Sequence, residues 1–84
     1  MYSMYILYSK KFDKFYIGST SNLKNRINKH NIGGSKYTKP YKPWKLVYQE
    51  RYYTRSEAVK RERFLKSMKD KDIIKKIVNN RIPV

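Results

Sequence analysis

The segment Tyr2-Ser3-Met4-Tyr5-Ile6-Leu7-Tyr8-Ser9, followed after a short polar gap by Phe15-Tyr16-Ile17-Gly18-Ser19, decides how the chain is read. Its even positions Tyr2, Met4, Ile6 and Tyr8 are bulky throughout, which predicts a strand. Lys10 to Lys14, with Asp13, forms a polar connection short enough for a hairpin, and Phe15 to Ser19 is the second strand. The register stays open at this level. With Tyr8 opposite Phe15, Leu7 faces Tyr16 and Tyr5 faces Gly18, which puts Tyr5 and Tyr16 on one face of the sheet.

Beyond the hairpin, Thr20, Ser21 and Asn22 offer three N-caps for a helix from about Leu23 to Asn31, and Gly33 and Gly34 stop it. Leu23, Arg26, Ile27 and His30 follow helical spacing and share one face. Ser35 to Trp44, with Pro40 and Pro43, reads as a loop, and Lys45 to Tyr53 as a third strand around Leu46 and Val47. Thr54-Arg55-Ser56-Glu57 has capping-box spacing and opens a helix from about Arg55 to Met68. A last helix starts at Asp70 or Asp72 and carries the apolar stripe Ile73, Ile74, Ile77, Val78. The order strand, strand, helix, strand, helix, helix predicts a small α/β fold. A three-stranded antiparallel sheet is flanked by helices, in one domain over residues 1–84.

Composition narrows the partners. The 84 residues hold 21 Lys plus Arg against 6 Asp plus Glu, a net charge of +15. Self-repulsion on that scale destabilises a small fold, so the excess implies a polyanion, with nucleic acid first. The basic residues run from Lys10 to Arg81 without a block, which implies a basic folded surface and not a tail. With no cysteine and one histidine, thiolate and multi-histidine metal sites are excluded. The apolar run Met4 to Tyr8 is far short of the ~20 residues of a membrane span, and no export signal is visible. A cytoplasmic protein with no membrane partner is expected.

Several residues stand out. In the second helix Ala58 and Leu65 flank Glu62, which puts a carboxylate in the stripe that should face the core. Such a charge is paired with a base, Arg61 or Arg63 for example, or binds a cation. Arg26 and His30, one turn apart, read by themselves as a solvated basic face. Lys36, Lys39, Lys42 and Lys45 form a basic edge on the loop, suited to phosphates. The nine tyrosines are half-buried strand residues or platforms on which bases stack.

Tyr5, Tyr16-Ile17-Gly18, Leu23, Arg26, His30 and Glu62 together resemble the GIY-YIG nuclease family over essentially the whole chain. The nearest kind is the small free-standing bacterial member, related to the nuclease module of excision repair. Tyr16-Ile17-Gly18-Ser19-Thr20, His30-Asn31, Lys36-Tyr37-Thr38 and Ser56-Glu57-Ala58 add to the likeness. Ser3-Met4-Tyr5 departs from it, standing where Gly-Ile-Tyr is expected. The resemblance implies a metal-dependent endonuclease that hydrolyses phosphodiester bonds in DNA, with RNA also open to it, and with low sequence specificity. It implies that Tyr5 and Tyr16 are the motif tyrosines, one of which helps deprotonate water. Arg26 then binds the scissile phosphate, His30 assists, and Glu62 holds a single magnesium or manganese ion. The family's further asparagine has only Asn79 and Asn80 as candidates. Nearby cations are expected to lower the tyrosine pKa, with His30 accepting its proton. The competing readings are a basic nucleic-acid-binding protein that keeps the fold without turnover, and a membrane-surface or ribosome-associated basic protein.

Overall fold

A computed structural model of the chain describes residues 1–79. Strands β1 (Tyr2–Ser9), β2 (Lys14–Thr20) and β3 (Lys45–Tyr52) form one antiparallel sheet in the order β2-β1-β3. Helix α1 (Leu23–Asn31) follows the hairpin, and α2 (Arg55–Met68) and α3 (Lys71–Asn79) follow β3. A 3₁₀ turn at Lys39–Tyr41 interrupts the segment expected to be loop throughout. The hairpin pairs Tyr8 with Phe15, Leu7 with Tyr16 and Tyr5 with Gly18, the register that puts Tyr5 and Tyr16 on one face.

As the middle strand, β1 has its backbone groups paired on both sides and can be covered above and below. Ser3 to Leu7 are all buried, so the bulky even positions describe only one of two packed faces. Met4, Ile6 and Ile17 meet Leu65 of α2 and Ile74 of α3 on one face. Tyr5, Leu7 and Trp44 meet Leu23 and Ile27 of α1 on the other. A bulge in β3 lets Leu46 pair with Leu7 and Tyr48 with Ile6. Val47 and Tyr48 therefore both pack on the α2 side.

Local chemistry explains the helix ends. Asn22 caps α1 by accepting from the Asn25 amide, and Gly33 past its end has φ +81°. Thr54 and Glu57 complete the capping box of α2. The segment after α1 is closed by a side chain: Asn31 donates to the Trp44 carbonyl at 3.0 Å and accepts from its amide at 2.6 Å.

Helix α2 is tied to both outer strands. On β3, Glu50 accepts from the Tyr48 and Tyr52 hydroxyls, both near 2.5 Å. It also accepts from Arg61 Nε at 3.0 Å and Nη2 at 3.2 Å. Burial opposes ionisation of Glu50, but the phenols and Arg61 outweigh it and hold the carboxyl below its usual value. Removing the cation while the half-buried anion stays is the costly half of such a pair. Arg61→Met should destabilise the fold by about 1–3 kcal/mol, seen as a lower midpoint in thermal melts at pH 7. A depressed carboxyl stabilises the fold above its unfolded pKa and loses that contribution as pH falls through its folded value. The gap between wild type and Arg61→Met should therefore close in melts taken below pH 4.5.

Candidate active site

The site forms where β1 and β2 pair at Gly18. A Cβ there would lie 2.5 Å from the Tyr5 hydroxyl oxygen and 2.7 Å from Cζ, so only glycine lets the buried Tyr5 ring cross the neighbouring strand. The hydroxyl lies 3.2 Å from His30 Nε2, and His30 Nδ1 lies 2.8 Å from Thr38 Oγ1. Thr38 is itself buried, and its carbonyl accepts from the Trp44 indole N–H at 2.9 Å. His30 is 2% exposed. The solvated basic face read from helical spacing is therefore wrong for His30, because the returning Thr38–Trp44 segment covers it.

The Arg26 guanidinium acts on the same hydroxyl and favours its ionised form. Arg26 can only donate, which leaves the Tyr5 O–H to face His30 Nε2 and the ring proton on Nδ1 toward Thr38. Burial, with the charges of Arg26 and Lys29, pushes the His30 pKa down, so its ring is neutral above pH 6.5. Tyr5 departs from expectation. Burial first, then Tyr16 and Glu62, outweigh Arg26 and push its pKa up to about 12. As the side chains stand, Arg26 does not overcome burial, and Tyr5 is harder to ionise than a free tyrosine.

Tyr16 extends the cluster outward. Its ring centroid lies 4.8 Å from that of His30 and 6.3 Å from that of Tyr5, and the Tyr37 ring lies beyond it at 6.0 Å, tilted by 44°. Glu62 arrives from the other face of the sheet and is close enough to raise the Tyr5 pKa. Ser19 donates to Glu62 Oε1 and Lys66 to Oε2, both at 2.6 Å. The base paired with Glu62 is thus Lys66, one turn on, while Arg61 is held by Glu50. Among the described residues no three His, Cys, Asp or Glu side chains gather as a metal cluster. The donor set still fits a hard divalent cation that keeps most of its waters, because such an ion takes one or two carboxylates. The Lys66 side chain is half exposed, and such pairs hold only about 0–1 kcal/mol, so a cation can displace it.

Tyr5, Tyr16, Arg26, His30 and Glu62 thus come together from four elements. Lys36, Lys39, Lys42 and Lys45 are exposed and do not line the cleft that holds Arg26. Asn79 ends α3 as an exposed residue, and Asn80 lies outside the described residues. Three contributors were given no site role from sequence. Ser19 orients Glu62, Thr38 holds His30, and Arg55 lines a polar cleft of about 230 Å³ with Arg26, Ser19, Thr20 and Ser21. A hydroxyl in the motif strand was the available signal for Ser19, whereas Arg55 had none beyond its charge. No helix among the described residues is long and apolar enough to cross a membrane.

Comparison with known proteins agrees with this geometry. A UPF0213 protein of Staphylococcus haemolyticus is 43% identical over 68 residues, covering 80% of this chain and 83% of that one. A UPF0213 protein of Staphylococcus aureus is 51% identical over 53 residues, 62% of this chain and 65% of its own. The solution NMR structure of a UPF0213 protein from Bacillus halodurans superposes with a TM-score of 0.59 at 29% identity, over 99% of this chain and 89% of that one. The model of the GIY-YIG catalytic domain matches residues 1–77. With paired tyrosines, arginine, histidine and glutamate meeting at one strand edge, the chain belongs to the GIY-YIG family, a family of nuclease type.

Proposed function

We propose that the protein is a metal-dependent endonuclease that hydrolyses phosphodiester bonds in DNA with little sequence preference. The observation that carries this reading is the convergence on one hydroxyl, that of Tyr5, of a neutral histidine, an arginine and a nearby carboxylate. A binding protein without turnover would need the basic surface but not this buried relay.

On this reading Arg26, with Arg55 lining the same cleft, binds the scissile phosphate and offsets its charge as water attacks. The water oxygen forms the new bond to phosphorus, and the bond to the departing sugar oxygen breaks. Tyr5 takes the water proton as its own O–H proton passes to His30 Nε2, with Thr38 holding the ring in that tautomer. Such an exchange needs no free phenolate, which suits a hydroxyl whose pKa is about 12. A magnesium or manganese ion on Glu62 would stabilise charge on the phosphate and on the leaving oxygen.

Three outcomes test the assignment. Arg26→Ala should lower the cleavage rate roughly 100- to 1000-fold while leaving most DNA affinity intact, measured by plasmid nicking beside a binding titration. Parallel loss of both would reduce Arg26 to an ordinary contact.

Glu62→Gln should keep the melting temperature, since it gives up only an exposed lysine pair, yet remove cleavage with magnesium. A large loss of stability with activity per folded molecule retained would make Glu62 a structural residue.

The lowered His30 pKa fixes the sign of the pH response. Turnover should fall as pH drops below 6.5, where the ring protonates, and should not turn over on the alkaline side by about pH 9. In a pH–rate series, His30→Ala should remove the acid limb. An acid limb that survives the substitution would place the proton acceptor elsewhere.

A further inference from the structure

We propose that the groove along the outer edge of β2 is a docking surface for single-stranded nucleic acid, entered by unpaired bases next to the cleavage site. The inference rests on the nuclease reading and adds the form of the substrate. The groove holds about 760 Å³ and runs from Tyr16 toward the far end of β2. It is continuous with the site, because Tyr16 packs on His30 and Lys66, which pairs with Glu62, lies 5.7 Å above the Tyr16 ring.

Two properties of its lining point to one occupant. The first is aromatic surface open to solvent: Tyr37 is 71% exposed and Phe12 is 43% exposed. Tyr41 and the buried Trp44 stand behind them. The second is cationic: Lys14, Lys66, Lys69 and Lys71 outnumber Asp13 and Asp70 along the same walls, and Lys71 pairs with Asp13. Rings for stacking and lysines for phosphates are the combination that tracks an unpaired strand. A duplex keeps its base faces stacked on one another and offers the rings nothing, so the groove favours single strands over paired ones. The loop lysines Lys36, Lys39, Lys42 and Lys45 line none of it.

The test is a binding titration in chelator, with no cleavage, using an oligothymidylate of about ten nucleotides and a duplex of equal length. Trp44, the single tryptophan, lines the groove and reports occupancy by its fluorescence. The single strand should bind more tightly than the duplex and quench Trp44. Tyr37→Ala should weaken the single strand roughly five- to hundredfold and leave the duplex unchanged. Tyr53→Ala, at a still more exposed tyrosine outside the groove, should change neither. Duplex binding as tight as single-strand binding, or no selective loss in Tyr37→Ala, overturns the groove while leaving the nuclease reading standing. Failure of the wild type to bind either nucleic acid overturns both.

Discussion

Burial of β1 on both faces is the constraint from which the other placements follow. A middle strand surrenders no backbone hydrogen bond when it is covered twice, so Ser3 to Leu7 can all leave solvent. Alternation then sends Met4 and Ile6 toward α2 and α3, and Tyr5 and Leu7 toward α1. A buried phenol must find partners for its hydroxyl within reach of its ring. Gly18 leaves the way across β2 open to the ring, and His30 is there because α1 packs on the same face. The core and the candidate site are therefore one arrangement: the strand that organises packing also delivers the first tyrosine.

The acidic residues show how a chain of +15 net charge arranges few anions. Asp13 takes Lys71 and Tyr8, Glu57 caps α2, and Asp70 accepts from the Asp72 amide ahead of α3. Glu50 is saturated by four donors from three side chains. Glu62, like Asp13, pairs with a half-exposed lysine, but it is the carboxylate that lies close enough to act on Tyr5. Arg61 and Glu62 are consecutive on α2 and reach opposite outer strands, Arg61 to Glu50 on β3 and Glu62 to Ser19 on β2. The two tethers fix the rotation of the helix about its axis, with Ala58 and Leu65 buried between them. The packing of α2 thus sets the aim of Glu62.

Local rules carried far along this sequence. Capping chemistry located the start of α2, glycines located the end of α1, and the hairpin follows the register that pairs Tyr8 with Phe15. The helical phase of Glu62 against Ala58 and Leu65 marked it as an anomaly, because a charge in an apolar stripe is visible without coordinates. What escaped were features made by distant segments. His30 is buried by a segment that returns through Thr38 and is pinned by Asn31 to Trp44, and no periodicity within α1 encodes that. The groove lysines come from β2, α2, the α2–α3 connection and α3, so no spacing rule collects them. Lys66 was not foreseen as the partner of Glu62 because a helix full of bases offers several at equal spacing.

On the proposed reading, the electrostatics of the Tyr5–His30 pair make the site respond to its own substrate. Burial and the positive charges of Arg26 and Lys29 keep His30 neutral, but the same influences make it a weak proton acceptor. On the proposed reading, a phosphate held by Arg26 brings negative charge beside that arginine and offsets the repulsion that depresses His30. The acceptor then gains basicity at the moment a scissile phosphate is in place. With no phosphate beside Arg26, burial and the two cations leave His30 a weak acceptor for the Tyr5 proton. On that reading, the basic charge draws a polyanion to the surface, and through Arg26 and Lys29 it adds to the burial that keeps His30 a weak acceptor until that anion arrives.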